Sequence, residues 1–466
     1  MLYINRSSKT PIYKQIYDSF KEDILTGRYA PQTRLPATRR LAKDLGVSRN
    51  TVDLAYQQLV LEGYIVPHAC SGFTVEPIAP STVYQPVKRK DTAEEQQKPK
   101  NKIQYDFWYP LLDCSLFPMK TWKKLYCSAL SEIGSSKFIS YPERQGEPQL
   151  QKAIADYLFR SRGVHCAPHQ VIVSCGIQFN LELLLKLFDP SCCTAAMEEP
   201  GYNGVRDLLQ ANHFRVSPIP VDHDGIVTQH LKDCRASLLY ITPSHQFPTG
   251  AILPVNRRME ILDWAKQQDA YIIEDDYDSE LRYFSNSIPS LQSIDRNDRV
   301  IYLGTFSKVL APGLRISYLV LPPQLLERYR QICGFYLCQV PYTNQLALTE
   351  FINSGYLEQH IRRVRHAYSE KQAKFLSAID RVFGERIHLF SKNAGLHMLA
   401  DIETTLTSEE LIQRAEKVGI RVYSAKFCWS SPADAPEHQL ILGYGSIPAQ
   451  DYEPALRLLY HAWYEI

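Results

Sequence analysis

The chain has 466 residues, 45% hydrophobic and 22% charged, and a formal net charge of only +2 at pH 7. That length calls for two or three domains rather than one core, the composition is that of an ordinary globular protein, and the balanced charge excludes a chain that is polybasic throughout. No run of 18 apolar residues is present to span a bilayer, and the opening MLYINRSSKTPIYKQ lacks the apolar centre of a secretion signal. The eleven cysteines are odd in number and show no CxxC pairs, so reduced thiols in a cytoplasmic protein are expected, with no disulfide framework and no metal site.

Residues 1–75 read as one compact unit with ten Lys/Arg against six Asp/Glu, a local net charge of +4. Thr10 can cap and Pro11 can open a first helix. Ile12, Ile16, Phe20 and Ile24 then repeat every four residues and form one apolar stripe. A second helix is predicted over Pro36–Leu45, stopped by Gly46. Ser48 can cap a third, with Val52, Ala55, Tyr56 and Leu59 facing inward. Two short extended pieces follow near Tyr64–Val66 and Phe73–Val75, joined by a turn with Ser71–Gly72. This order is that of a winged helix-turn-helix. Its exposed polar positions are Arg34, then Thr38, Arg39 and Arg40 opening the second helix, and Ser48, Arg49, Asn50 and Thr51 opening the third. Such N-terminal positions enter a major groove, where Arg pairs with guanine and Asn with adenine, while the preceding helix grips phosphate.

Residues 76–104 are rich in Pro, Gln and charge and read as a linker; its Lys88–Lys90 and Lys98–Lys102 can touch phosphate or simply solvate a tether. From 105 to 466, strand-like runs such as Val171–Ser174, Ser237–Thr242, Ala270–Asp275 and Arg299–Gly304 alternate with amphipathic segments. That alternation predicts an α/β domain with a largely parallel sheet, whose ligands gather at the carboxyl ends of the strands.

The ends of those runs carry the chemistry. The run through Gly304 leads into Thr305-Phe306-Ser307-Lys308 and on to Arg315, which supplies an amine, two hydroxyls and a guanidinium. Val171–Ser174 leads into Cys175-Gly176-Ile177-Gln178, where glycine at a helix start leaves N–H groups free for an anion. Ala270–Ile273 ends in Glu274-Asp275-Asp276-Tyr277, three acids that are costly together unless at least one meets a cation. EEPGYNGVR contributes Tyr202 and Arg206, and TPSHQFPTG contributes His245, Gln246 and Phe247.

RLPATRRLAKDLGVSRNTVDLAYQQLVLEGYI resembles the GntR-type winged-helix motif over about residues 10–75, although the wing PHACSGFTV offers only His68 as a cation. TFSKVLAPGLR resembles the lysine segment of fold-type-I aminotransferases. In this order the two resemble the MocR/GabR subfamily of GntR regulators over almost the whole chain. The resemblance implies a large fold-type-I domain, with a mostly parallel sheet and a smaller C-terminal α+β part, that binds pyridoxal 5'-phosphate. Lys308 would be the catalytic lysine forming the Schiff base. Thr305, Ser307, Arg315, Gly176, Ile177 and Gln178 would hold the phosphate. Asp275, with Asp276 as the alternative, would face the pyridine nitrogen; Tyr277 would bond the ring oxygen and Tyr202 pack on the ring. Tyr141 would reach the other subunit's phosphate in a head-to-tail homodimer.

Two positions depart from the enzyme pattern: Phe247 stands where aminotransferases carry Asn, and Ile441 where they carry the carboxylate-clamping Arg. His245 or Gln246 are candidates to replace the first, and Arg206, Arg421 or His245 the second, which makes Arg206 and His245 the expected effector contacts. The implied function is a regulator that binds double-stranded operator DNA and senses a small amine, amino acid or pyridoxal phosphate. The alternative is an active class I/II aminotransferase with a fused DNA-binding domain.

Overall fold

The computed structural model describes residues 4–68, 72–77, 103–131, 139–283, 288–390 and 394–465. The chain divides into two compact units, Met1–Lys98 and Pro99–Ile466. Ser71 of the expected turn and residues 78–102 of the expected linker, with their lysines, lie outside the described residues.

The first unit holds α1 (Ile12–Leu25), α2 (Thr38–Leu45) and α3 (Arg49–Leu61), then β1 (Ile65–His68) paired antiparallel with β2 (Gly72–Val75). Ile16, Phe20 and Ile24 of α1 meet Val52, Ala55, Tyr56 and Leu59 of α3 in one core closed by Ile65 and Val75 of the hairpin. Gly46 ends α2 in the left-handed conformation, and Ser48 caps α3 by accepting from the Thr51 N–H at 3.2 Å. Two helix starts shift from expectation. Pro11 is the cap residue of α1, without a side-chain cap, and α2 begins at Thr38 rather than Pro36. The reason is common to both: Pro11 and Ala37 have extended ψ values of 144° and 139°, so helical geometry begins only after them.

The second unit contains β3 (Tyr105–Asp106), α4 (Met119–Ser131), α5 (Pro148–Arg162), β4 (Val171–Ser174), α6 (Ile177–Leu185), β5 (Thr194–Glu199), α7 (Asn203–Ala211), β6 (Arg215–Asp222), β7 (Gly225–Ile226) and β8 (Leu238–Ile241). It continues with α8 (Val255–Gln267), β9 (Tyr271–Asp276), α9 (Leu291–Ile294), β10 (Val300–Thr305), β11 (Ser317–Val320), α10 (Pro323–Cys333), α11 (Tyr342–Asn353) and the long α12 (Tyr356–Phe383). Its C-terminal part comprises β12 (Ile387–Phe390), β13 (His397–Ile402), α13 (Ser408–Lys417), β14 (Ile420–Arg421), β15 (Tyr423–Ser424), β16 (Gln439–Gly443) and α14 (Tyr452–Tyr464).

The large sheet runs β4-β11-β10-β9-β8-β5-β6-β7. Neighbours from β10 through β6 are parallel, whereas β11 runs antiparallel to both β10 and β4. Every residue of β4, β8 and β10 is buried, as helices on both faces of a sheet require. The smaller sheet, β12-β13-β16-β15, is antiparallel throughout and packs on α12, α13 and α14 through an aromatic core with Phe375, Tyr444, Tyr452 and Trp463. Among the described residues no helix is long and apolar enough to cross a membrane.

Candidate functional site

The carboxyl ends of β4, β5, β8, β9 and β10 open onto one cavity of about 210 Å³. Of the expected cofactor residues, Gly176, Ile177, Gln178, Tyr202, Asp275, Tyr277, Thr305, Ser307, Lys308 and Arg315 all line it; Tyr141 does not, and stands 85% exposed elsewhere. The remaining walls come from Tyr109, Pro110, Tyr240, Thr242, Phe247 and Pro312.

Strand alternation sorts the acids of β9. Side chains point to opposite faces in turn, so Glu274 and Asp276 share one face and Asp275 takes the other. Glu274 accepts from the Leu291 and Gln292 N–H groups at 2.7 and 2.9 Å and so caps α9. Asp276 is gripped by Arg162 at 2.7 and 3.2 Å and also accepts from Ser279 and the Tyr302 hydroxyl. Arg162 holds its carboxyl below the usual range although burial pulls the other way. Asp276 is therefore no substitute for Asp275: its oxygens are spent on a buried ion pair. Asp275 accepts from Tyr240 at 2.5 Å through Oδ2, while buried Oδ1 has no partner. Burial first, with Asp276 and Asp278 nearby, pushes this acid up to about 7.

Lys308 is half-buried, with its Nζ 5.0 Å from the centre of the Tyr109 ring. Burial lowers its pKa to about 8, against the opposing pull of Asp278 and Asp275. At the other end of the cavity, Gly176 has φ +119°, and a Cβ there would collide with the Arg315 guanidinium. The close approach admitted by glycine lets Arg315 donate to the Cys175 carbonyl at 3.0 Å over the first turn of α6. Ser317 accepts from the Gly176 N–H at 2.8 Å and fixes the turn. Ile177 and Gln178 start α6, where N–H groups have no acceptor within the helix. Thr305 and Ser307 bring their hydroxyls within 3.0 Å of each other beside them.

Neither of the two expected effector contacts lines the cavity. Arg206 donates to the carbonyls of Phe427 and Cys428 at 2.5 and 3.0 Å and lies 3.6 Å from Glu199, so it ties α7 to the 427–428 segment and does not line the cavity. His245 is buried outside the cavity lining, its Nδ1 2.8 Å from Asp278 and 3.0 Å from the Tyr277 hydroxyl. Gln246 spends its amide on Pro200, Phe247 and Thr249, and Arg421 lies by Asp106 and Glu416. Ile441 is fully buried with Phe247, Leu399 and Cys428.

Residues 118–430 match the family "Aminotransferase class I and II", and residues 12–75 match "Bacterial regulatory proteins, gntR family". The chain is 38% identical to YdeL of Bacillus subtilis, an HTH-type transcriptional regulator, over 99% of this chain and 98% of that one. It is 33% identical to the probable rhizopine catabolism regulatory protein MocR of Rhizobium meliloti, covering 99% and 96%. This protein is a MocR-type member of the GntR regulators. The large unit of this MocR-type chain also matches LysN, the α-aminoadipate aminotransferase of Thermus thermophilus solved with N-(5'-phosphopyridoxyl)-L-leucine. That match has a TM-score of 0.69 at 27% identity and covers 77% of this chain and 91% of that one.

The cavity meets the demands of pyridoxal phosphate on its own geometry. The unpartnered Asp275 Oδ1 wants a buried cation such as a pyridinium, the Gly176 turn with Arg315 leaves a cradle for a dianion, and Lys308 offers an amine between them. Sequence reasoning missed Tyr109, Tyr240 and Asp278, which act on Lys308, Asp275 and His245 respectively. Only Asp278 had a local signal, as the fourth acid in EDDYDSE.

In the helix-turn-helix unit, Arg34, Arg39, Arg40, Ser48, Arg49 and Asn50 are exposed, and Thr38 and Thr51 are half-buried. Arg49 pairs with Asp53 at 3.3 Å and Arg40 with Asp44 at 3.9 Å along their own helices. His68 of the wing lies 2.7 Å from the Thr74 hydroxyl across the hairpin.

Proposed function

We propose that this MocR-type protein is a pyridoxal-phosphate-dependent transcription regulator, working in the cytoplasm as a head-to-tail homodimer on double-stranded operator DNA. Its large unit senses a small amine, an amino acid or the cofactor itself. In this reading Lys308 takes the cofactor covalently and Asp275 faces the pyridine nitrogen. Ile177, Gln178, Thr305, Ser307 and Arg315 hold the phosphate on the turn that Gly176 makes, its own N–H being donated to Ser317; Tyr202 packs on the ring and Tyr277 bonds the ring oxygen. The bound cofactor supplies an electrophilic carbon able to exchange one amine for another. The chain's own part is to bury Lys308 so that a neutral fraction of its amine persists near pH 7, and to keep one carboxylate oxygen of Asp275 unspent for a cation.

That unspent oxygen, in the same cavity as Lys308, is the observation that carries the proposal. Sensing rather than turnover is supported by Phe247, an apolar wall residue backed by the buried Ile441 where a clamp for a substrate carboxylate would be needed, and by the engagement of Arg206 elsewhere. Tyr141, exposed and away from its own chain's cavity, supports a role across the dimer. Arg34, Thr38, Arg39, Arg40, Ser48, Arg49, Asn50 and Thr51 form the DNA face, with Arg49 and Asn50 reading bases.

Borohydride treatment of protein saturated with pyridoxal phosphate, followed by peptide mass spectrometry, tests the site. One pyridoxyl group on Lys308 is expected, absent from Lys308→Ala, which still shifts operator DNA. A label on another lysine, or none, defeats the assignment. An amine that changes the cofactor spectrum without ever changing DNA affinity defeats the sensing role, and sustained transamination at enzymatic rates favours the enzyme.

A further inference from the structure

The His245–Asp278 pair is buried, each residue 3% exposed. Its geometry is asymmetric. One nitrogen, His245 Nδ1, serves two oxygens: Asp278 Oδ2 at 2.8 Å and the Tyr277 hydroxyl at 3.0 Å. A carboxylate only accepts hydrogen bonds, so Nδ1 carries the proton to hold Asp278. A protonated Nδ1 cannot accept from Tyr277, so the tyrosine oxygen is left on the accepting side. Its own proton must then point away from His245, and Tyr277 lines the cavity that contains Lys308.

We propose that His245 and Asp278 are positioning residues that make Tyr277 an obligate hydrogen-bond donor into the cavity. The inference rests on the reading of that cavity as a pyridoxal phosphate site, and it gives His245 a task in place of effector contact. The pair is held from the C-terminal part of the same unit. Gly395 sits at φ +77°, and a Cβ there would collide with the His245 ring and come 2.9 Å from Asp278 Oδ2. The Gly395 carbonyl is fixed in turn by the Tyr283 and Tyr444 hydroxyls, each at 2.6 Å. His245 also stacks on Tyr277, their ring centres 6.0 Å apart, with the His397 ring 5.7 Å away. The titratable groups facing the trio include Asp275, Glu198, Lys308, Tyr109, Tyr283, Tyr444, His397 and Arg282.

A donor aimed at the ring oxygen stabilises that oxygen's deprotonated form. The test is a pH titration of the visible absorbance of the full-length protein loaded with pyridoxal phosphate. Tyr277→Phe is expected to raise the midpoint, and His245→Phe to raise it in the same direction by roughly one unit, a tenfold change in the proton equilibrium. The double variant should move no further than Tyr277→Phe alone, because His245 acts through the tyrosine. His245→Asn, which keeps a donor near the Nδ1 position, should restore most of the shift. A midpoint unchanged in His245→Phe, or shifts that add in the double variant, would overturn the proposal while the wild-type band still stands. A wild-type protein with no band and no reducible lysine would instead remove the site reading, and this inference with it.

Discussion

The helix-turn-helix unit and the cavity of the large unit present polar residues under opposite constraints. On α3, Arg49 and Asn50 face water, so leaving them without a ligand costs little, and the Arg49–Asp53 pair is the kind of exposed contact that contributes next to nothing. In the cavity, Asp275 is 3% exposed with one oxygen unpartnered, and each unspent group there lowers the stability of the empty protein. An exposed polar face can thus be kept ready at little cost, whereas the unspent Asp275 oxygen is flanked along β9 by two acids whose oxygens are satisfied. The β9 acids show both conditions within three residues: Glu274 and Asp276 are saturated, Asp275 is not.

The largest expected effect breaks the saturated side. Asp276→Asn leaves the Arg162 guanidinium buried without its counter-charge, and such a loss costs about 3–5 kcal/mol. Urea unfolding of the cofactor-free protein should show a correspondingly lower midpoint. Asp275→Asn should do the reverse: cofactor retention falls, but the empty protein is no less stable. The pH dependence separates the two further. Burial raises Asp275 to about 7 in the folded state, against an unfolded value of about 3.9. The folded cofactor-free protein therefore holds an extra proton between about pH 4 and 7, and its stability declines as pH rises through that window. Asp275→Asn removes this part of the slope, which unfolding curves at pH 5 and pH 7 will measure. A slope identical to wild type would mean that Asp275 is ionised in the empty cavity.

How much of this was legible in the sequence follows the same divide. In the first unit, core and exposed polar face are two sides of the same helices, so the spacing of Val52, Ala55, Tyr56 and Leu59 locates both. In the large unit, β4 occupies the residues expected of it, and β8, β9 and β10 shift by a residue or so at their ends. Three adjacent acids announced that a cation must approach, but Arg162 arrives from 114 positions away along the chain. The choice between Asp275 and Asp276 was within reach of strand alternation once Glu274 was known to turn toward α9. Arg206 misled because its partners are the backbone carbonyls of Phe427 and Cys428, and a carbonyl acceptor leaves no trace in residue type. The His245–Asp278 pair was hidden for a related reason: a histidine's role depends on which atom meets its ring, and only the folded chain brings Asp278 there.

On the exposed side, Arg49→Ala is expected to weaken operator binding by about 1–3 kcal/mol if the guanidinium reads a base in two-point fashion, and to relax selectivity at that base pair. Protein stability should stay nearly constant, because only a surface ion pair is lost. Equal weakening on every DNA sequence would reassign Arg49 to phosphate contact.

The smallest effect concerns Ser48 and Thr51, which share the start of α3 with Arg49. Their hydroxyls lie 2.7 Å apart, and Ser48 Oγ also accepts from the Thr51 N–H, so the pair already satisfies the helix start. Loss of such a cap costs about 1 kcal/mol. Ser48→Ala should therefore lower the urea stability of the helix-turn-helix unit by about that amount. At temperatures where the unit remains folded, its operator affinity should change far less than that of Arg49→Ala. If instead Ser48→Ala weakens DNA binding as strongly as Arg49→Ala with stability unchanged, the hydroxyl leaves its cap to contact DNA, and even the exposed face would be reorganised by its ligand.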